Sequence, residues 1–158
     1  MGADRRRHGL RDAADGRLRA AAGEPFVLFR ATDAKWCRQI EGAAGAPVGD
    51  KAGEKQIVRG YVTDGPFLWR LENGGLVCLW ASFSESGYTE ALAVSDNGEN
   101  DGRFMQEEPL FWQDGGHGML FRSLDGAMYL SLHSPNRTNE ERPVFYRVRE
   151  EGSGIRVE

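Results

Sequence analysis

The first group able to do chemistry is a carboxylate set directly before a Gly-Pro pair: Asp64, in the run Tyr61-Val62-Thr63-Asp64-Gly65-Pro66-Phe67. Proline holds φ near one value, so a strand starting here gives Asp64 a stiff mount, suited to a proton donor. Asp-Gly is also ordinary turn chemistry, and an Asp64 that only shapes a turn is the competing reading. A second candidate is the imidazole of His117, flanked by glycines in Asp114-Gly115-Gly116-His117-Gly118. Histidine titrates near neutral pH and can handle a proton, or it can simply end a strand with its ring bonded to a carbonyl. Glu85, in Ser82-Phe83-Ser84-Glu85-Ser86-Gly87-Tyr88, is a further carboxylate. It falls in a loop beyond a hairpin, where a glutamate is ordinarily solvated.

An internal repeat supplies the elements that must position these groups. Shifted by 52 positions without a gap, residues 67–82 lie on residues 119–134, and Leu68, Arg70, Gly74 and Ser82 recur as Leu120, Arg122, Gly126 and Ser134. Asn73-Gly74 and Asp125-Gly126 are two-residue hairpin signals between apolar strands, because both dipeptides accept positive φ at the turn. A third apolar run follows each hairpin, at residues 91–95 and 144–148, so each unit can build a small antiparallel sheet. A repeat of about 40 to 50 residues holding several short strands is the mark of a β-propeller blade. In this register Gly65 and His117 are equivalent. Asp64 and His117 are therefore expected together at the mouths of the innermost strands, near one axis.

Several spaced motifs then agree in order: residues 61–67, Leu79-Trp80-Ala81-Ser82-Phe83 with Gly87-Tyr88, Asp114-Gly115-Gly116-His117-Gly118-Met119-Leu120-Phe121, and Leu132-His133-Ser134-Pro135-Asn136 followed by Glu141-Arg142-Pro143. Over residues 25–150 the chain resembles the C-terminal half of glycoside hydrolase family 43. That resemblance implies an all-β chain forming the C-terminal part of a five-bladed β-propeller, which hydrolyses α-L-arabinofuranosides or β-D-xylosides with inversion. It places Asp64 at the position of the general acid, where most of the family has a glutamate one methylene longer. It places His117 at the base of the substrate funnel, where in several members a histidine approaches a central calcium or its waters, so a structural calcium near His117 is the one metal expectation and no cofactor is required. It places Arg142 at the sugar subsite, with a surface ion pair to Glu140 or Glu141 as the alternative. His133 lies in a motif that the family keeps close to the pocket, and a structural role suits it better. Trp36 either stacks on a sugar ring or pins its loop to the core, the second being the usual place of a large aromatic. The family's general base and the aspartate that tunes the acid belong to earlier blades, and neither has a counterpart here.

Size fits that shortfall. Five blades need roughly 250 residues at this repeat length, and 158 residues hold about two blades plus a strand of a third. The expected organisation is an arginine-rich, disordered or non-native stretch at residues 1–23 and a partial propeller at 24–158. The first stretch carries 6 Arg against 3 Asp, net +3, and the remainder 14 basic against 21 acidic residues, net −7, which together give the overall −4. Charge runs interrupted by acids are usually solvated, so no nucleic-acid partner is inferred. No stretch is long and apolar enough for a membrane helix, and no secretion signal is visible. Residues 25–30, Pro25-Phe26-Val27-Leu28-Phe29-Arg30, read as the last strand of an incomplete blade, and glycine-rich 31–60 as a long loop. Cys37 and Cys78 make no metal pattern and are expected as free thiols. The functional expectation is a fragment of an inverting glycosidase acting on plant polysaccharide, inactive alone and prone to self-association through its uncovered flank. The competing expectation is a non-catalytic carbohydrate-binding or interaction propeller.

Overall fold

The computed structural model describes residues 25–43 and 57–158. The expectation for residues 1–23 lies outside the described residues. A single 3-10 turn at Ala31–Asp33 precedes a two-stranded antiparallel hairpin of β1 (Ile40–Ala43) and β2 (Ile57–Gly60). Two four-stranded antiparallel sheets follow. The first runs β3 (Asp64–Arg70), β4 (Leu76–Ser84), β5 (Gly87–Ser95), β6 (Phe104–Gln106), and the second β7 (Gly116–Arg122), β8 (Met128–Ser134), β9 (Arg142–Glu151), β10 (Gly154–Val157), each strand beside its sequence neighbour. Among the described residues no helix is long and apolar enough to cross a membrane.

The repeat read from sequence holds in three dimensions. β3 and β7 start 52 residues apart, as do β4 and β8. Gly74 and Gly126 take φ of 87° and 86° in the two hairpin turns, the left-handed region that favours glycine there. The pairing register slips between Asp64 and Phe67 on β3 and again between Gly116 and Met119 on β7, so one bulge occurs twice at the same offset. Even the bond that pins each strand mouth repeats. The Ser82 hydroxyl donates to the Val62 carbonyl at 2.6 Å, and the Ser134 hydroxyl to the Asp114 carbonyl at 3.2 Å.

β4 shows why the sheets stack. Its residues are buried on both faces, which is why the sequence there reads as an unbroken apolar run rather than an alternation. Val77 and Leu79 point to a core shared with Leu120, Leu130, Leu132 and Val148 of the second sheet. Cys78 and Trp80 point the other way, onto a second core closed by Phe29, Ala34 and Trp36. Each large side chain so buried contributes about 1.5–3 kcal/mol. The opposite face of the second sheet is left open: Met119, Phe121 and Phe145 are exposed, with Phe121 against Tyr129 at 5.6 Å and Phe145 at 6.0 Å.

Two expectations are corrected. Residues 25–30 form no strand; they run as irregular chain whose Leu28 and Phe29 pack on the second core, because side-chain burial there substitutes for a pairing partner. The strands that precede β3 are instead those of the β1–β2 hairpin. Residues 31–60 are not simply a loop, since they hold the 3-10 turn and both strands of that hairpin, and the part at 44–56 lies outside the described residues. Each sheet also has a fourth strand, β6 or β10, too short to stand out in sequence. Both cysteines are free and buried.

Candidate active site

The two bulges lie against each other and bring the chemistry together. Gly65 and His117 have nearly the same backbone, φ 54° and 58°, so the position taken by glycine in one repeat carries an imidazole in the other. A Cβ on Gly65 would sit 2.7 Å from Cδ2 of His117, so only glycine lets the second bulge approach this closely. Across the contact Nδ1 of His117 lies 3.5 Å from Oδ2 of Asp64, with the two side chains 56% and 46% exposed. The pair is thus open to a ligand.

Tyr88 completes the constellation. Its ring stacks on His133 at 5.5 Å and 15°, and its hydroxyl donates to Oδ2 of Asp64 at 2.6 Å. Gly116 makes room for it, since a Cβ there would lie 2.6 Å from the Tyr88 ring. Oδ1 of Asp64 accepts the Gly65 N–H at 2.9 Å. The Tyr88 hydrogen bond is the main reason the Asp64 carboxyl titrates below the usual range, with the nearby His117 adding to it. Burial, reinforced by that same bond, pushes the Tyr88 phenol up. Asp64 is thus an acceptor held toward its ionised form, facing a phenol and an imidazole.

Beneath this surface lies Glu90, fully buried on β5. It belongs to the cross-strand row Asp64, Ala81, Glu90. Its Oε2 accepts the Gly118 N–H at 2.9 Å and its Oε1 has no partner. Burial pushes its pKa up to about 8, so it is neutral below that. Sequence reasoning passed over both Tyr88 and Glu90. The signal available was the glycines around His117, which announce bulky neighbours pressed against the strand.

The remaining candidates lie apart. Trp36 is only 8% exposed and packs on Trp80 at 4.9 Å, so its ring face is taken up by the core and is not offered to a sugar. Arg142 is exposed and donates to the backbone carbonyls of Glu141 (2.7 Å) and Asn139 (3.4 Å), not to the carboxylate of Glu140, which pairs with Arg137. Being paired with Ser134 at the start of β9, it stands at the same end of the sheet as His117. Glu85 sits on the β4–β5 turn in an ion pair with Arg38 at 2.8 Å, as a solvated residue. His133, stacked on Tyr88 and bonded to Asn136 at 3.1 Å, supports the site from behind. Among the described residues no three His, Cys, Asp or Glu side chains are grouped to hold a metal ion. Calcium takes six to eight oxygen ligands; beside His117 the described residues bring the Asp64 carboxylate to 3.5 Å.

The architecture and the site together define an all-β chain of stacked antiparallel sheets, propeller-like, with an acid and an imidazole at the mouths of its inner strands. Among solved structures the chain is similar to an endo-arabinase from Bacteroides thetaiotaomicron VPI-5482, with a TM-score of 0.69 and 36% identity over 84% of this chain. The match spans 43% of that enzyme. No family model and no curated protein matches the chain.

Proposed function

We propose that the chain forms the C-terminal sheets of a five-bladed, family 43 type glycosidase that cleaves α-L-arabinofuranosyl or β-D-xylosyl linkages of plant polysaccharide with inversion. The observation that carries this reading is the Asp64, Tyr88 and His117 constellation at the strand mouths, in a chain 36% identical to an endo-arabinase. In the inverting reaction Asp64 protonates the leaving glycosidic oxygen while a base on the opposite face activates water, the two carboxyls about 6.5–9.5 Å apart. Tyr88 fixes which oxygen of Asp64 faces the substrate, and His117, beside the same oxygen, is placed to bond a sugar hydroxyl. Arg142, at the rim, lies within the same end of the sheet for a more distant sugar unit.

An acid must carry a proton, and the Tyr88 bond alone favours the ionised form of Asp64. A like charge close by raises a carboxyl pKa. The tuning aspartate expected from earlier blades would supply that charge, and the 158-residue chain alone is accordingly expected to be inactive. The Tyr88 hydrogen bond, by favouring the ionised Asp64, also favours the second reading, a carbohydrate-binding propeller without catalysis.

A chimera decides between them, with residues 61–158 replacing the matching segment of the Bacteroides endo-arabinase. Arabinan hydrolysis should be retained. Asp64→Asn should then cost on the order of 100-fold or more on arabinan but little on nitrophenyl arabinoside, whose leaving group departs without protonation. Arabinan binding without turnover selects the binding reading, and equal losses on both substrates remove Asp64 from the role of acid.

A further inference from the structure

Glu90 is the one carboxylate among the buried polar side chains of the described residues, and nothing in the glycosidase reading uses it. Its Oε1 has no hydrogen-bond partner among the described residues, and what eases the burial of its carboxyl comes from the backbone of Gly118 and His117. Burying such a group unpaired is costly, so its place calls for a reason.

That reason lies in the residue after His117. Gly118 gives its N–H to Oε2 of Glu90, and a Cβ on Gly118 would be 2.9 Å from the Glu90 carboxyl carbon, so the carboxyl is pressed directly against this stretch of backbone. His117 itself stands at φ 58°, a region that a non-glycine residue leaves unless its surroundings hold it. The repeat shows what else can hold it. Fifty-two residues earlier, the place of Gly118 is taken by Pro66, which has no N–H to satisfy and whose ring stiffens the first bulge by itself. The second bulge has no proline. It has instead a backbone donor that needs an acceptor, in a place without solvent.

We propose that Glu90 is a positioning residue: its carboxyl clamps the peptide that follows His117 and so keeps the imidazole in the left-handed bulge with Nδ1 toward Asp64. Its bearing on catalysis rests on Asp64 being the acid, whereas the clamp itself does not. The second bulge is thereby held by a side chain from a neighbouring sheet where the first is held by its own covalent ring.

The experiment uses the full 158-residue chain, with amide exchange of Gly118 and the backbone HN–Hα coupling of His117, which reports φ, read by NMR. Glu90→Gln keeps a neutral oxygen at the acceptor position; Glu90→Met keeps length and bulk without a comparable acceptor. Gly118 exchange should stay within about threefold of wild type in Glu90→Gln and rise at least tenfold in Glu90→Met, as expected for losing one buried hydrogen bond. The His117 coupling should be unchanged in Glu90→Gln and in Glu90→Met should move to a value of extended backbone, away from the φ of 58°. A Glu90→Met chain that fails to fold, beside a Glu90→Gln chain with wild-type signals, also supports the clamp. Equal behaviour of the two variants, or wild-type signals in Glu90→Met, overturns it. No sugar enters these measurements, so a failed glycosidase reading leaves their outcome untouched.

Discussion

Replacing His117 by glycine is expected to leave the fold about as stable as before while disabling the site. A non-glycine residue in the left-handed region costs about 1–2 kcal/mol, which His117→Gly removes. Against this, glycine gives up about 0.5–1 kcal/mol through the greater freedom of its unfolded chain. The imidazole is 56% exposed, so little apolar burial is lost. Its pairing with Asp64, between two exposed groups, contributes about 0–1 kcal/mol. These terms leave a net change within about 1 kcal/mol of zero. Urea unfolding monitored by tryptophan fluorescence measures it directly. Gly65→Ala is the contrasting variant, because its new methyl would lie 2.7 Å from the His117 ring on a backbone at φ 54°. It should cost about 2 kcal/mol or more. In the chimera described above, His117→Gly should lower arabinan turnover at least tenfold, and in the isolated chain the Asp64 pKa should rise as a charge that lowers it disappears. Destabilisation by His117→Gly beyond about 2 kcal/mol would refute the reasoning, because the strained histidine would then be kept for the fold rather than for the site.

Tyr88→Phe removes the main cause of the low Asp64 pKa, so the Asp64 titration should move up toward the ordinary aspartate value. Because a lowered carboxyl pKa stabilises the fold above the unfolded value and loses that effect as pH falls through the folded value, Tyr88→Phe should reduce the part of stability that wild type loses on acidification in that window. Thermal unfolding from pH 6 down to 2 reads the difference, and parallel profiles would count against the bond. At the other end of the sheets the mostly buried carboxylate of Glu150 accepts from Trp69, the Glu72 N–H and Arg122. Glu150→Ala should therefore cost about 2 kcal/mol and Arg122→Ala, at a more exposed position, about 1 kcal/mol or less in urea unfolding. The open apolar face of the second sheet should make the isolated chain self-associate. Light scattering should show Phe121→Glu with Phe145→Glu reducing association, and a wild-type chain that stays monomeric at high concentration would oppose that expectation.

How much of this was legible beforehand follows from the range over which each feature is determined. Hairpins at Asn73-Gly74 and Asp125-Gly126, the 52-residue offset and the meeting of Asp64 with His117 all rest on local turn chemistry and on a register carried along the chain. Residues 25–30 misled because Phe26-Val27-Leu28-Phe29 has strand composition, yet a strand needs a partner edge, and composition cannot report one. Glu90 was invisible for a similar reason. Beside Thr89, at the start of an alternating run, it looks like a solvent-facing strand residue, and its burial depends on Gly118 of the other sheet lacking a side chain. For Trp36 the sequence left two places open, a sugar ring or the core, because the choice depends on Trp80, whose contact with it crosses 44 residues of chain. Arg142 shows the limit of motif matching, since its place on β9 was legible and its bonds to the carbonyls of its own turn were not.

The bulge that occurs twice has a consequence for how such a site can change. Each inner strand begins with one left-handed position aimed at the neighbouring unit. Duplicating a sheet therefore duplicates a mounting point, but where two copies meet only one can be filled. The His117 ring takes the space that a Cβ on Gly65 would need, so the side chain gained by the second unit holds the first to glycine.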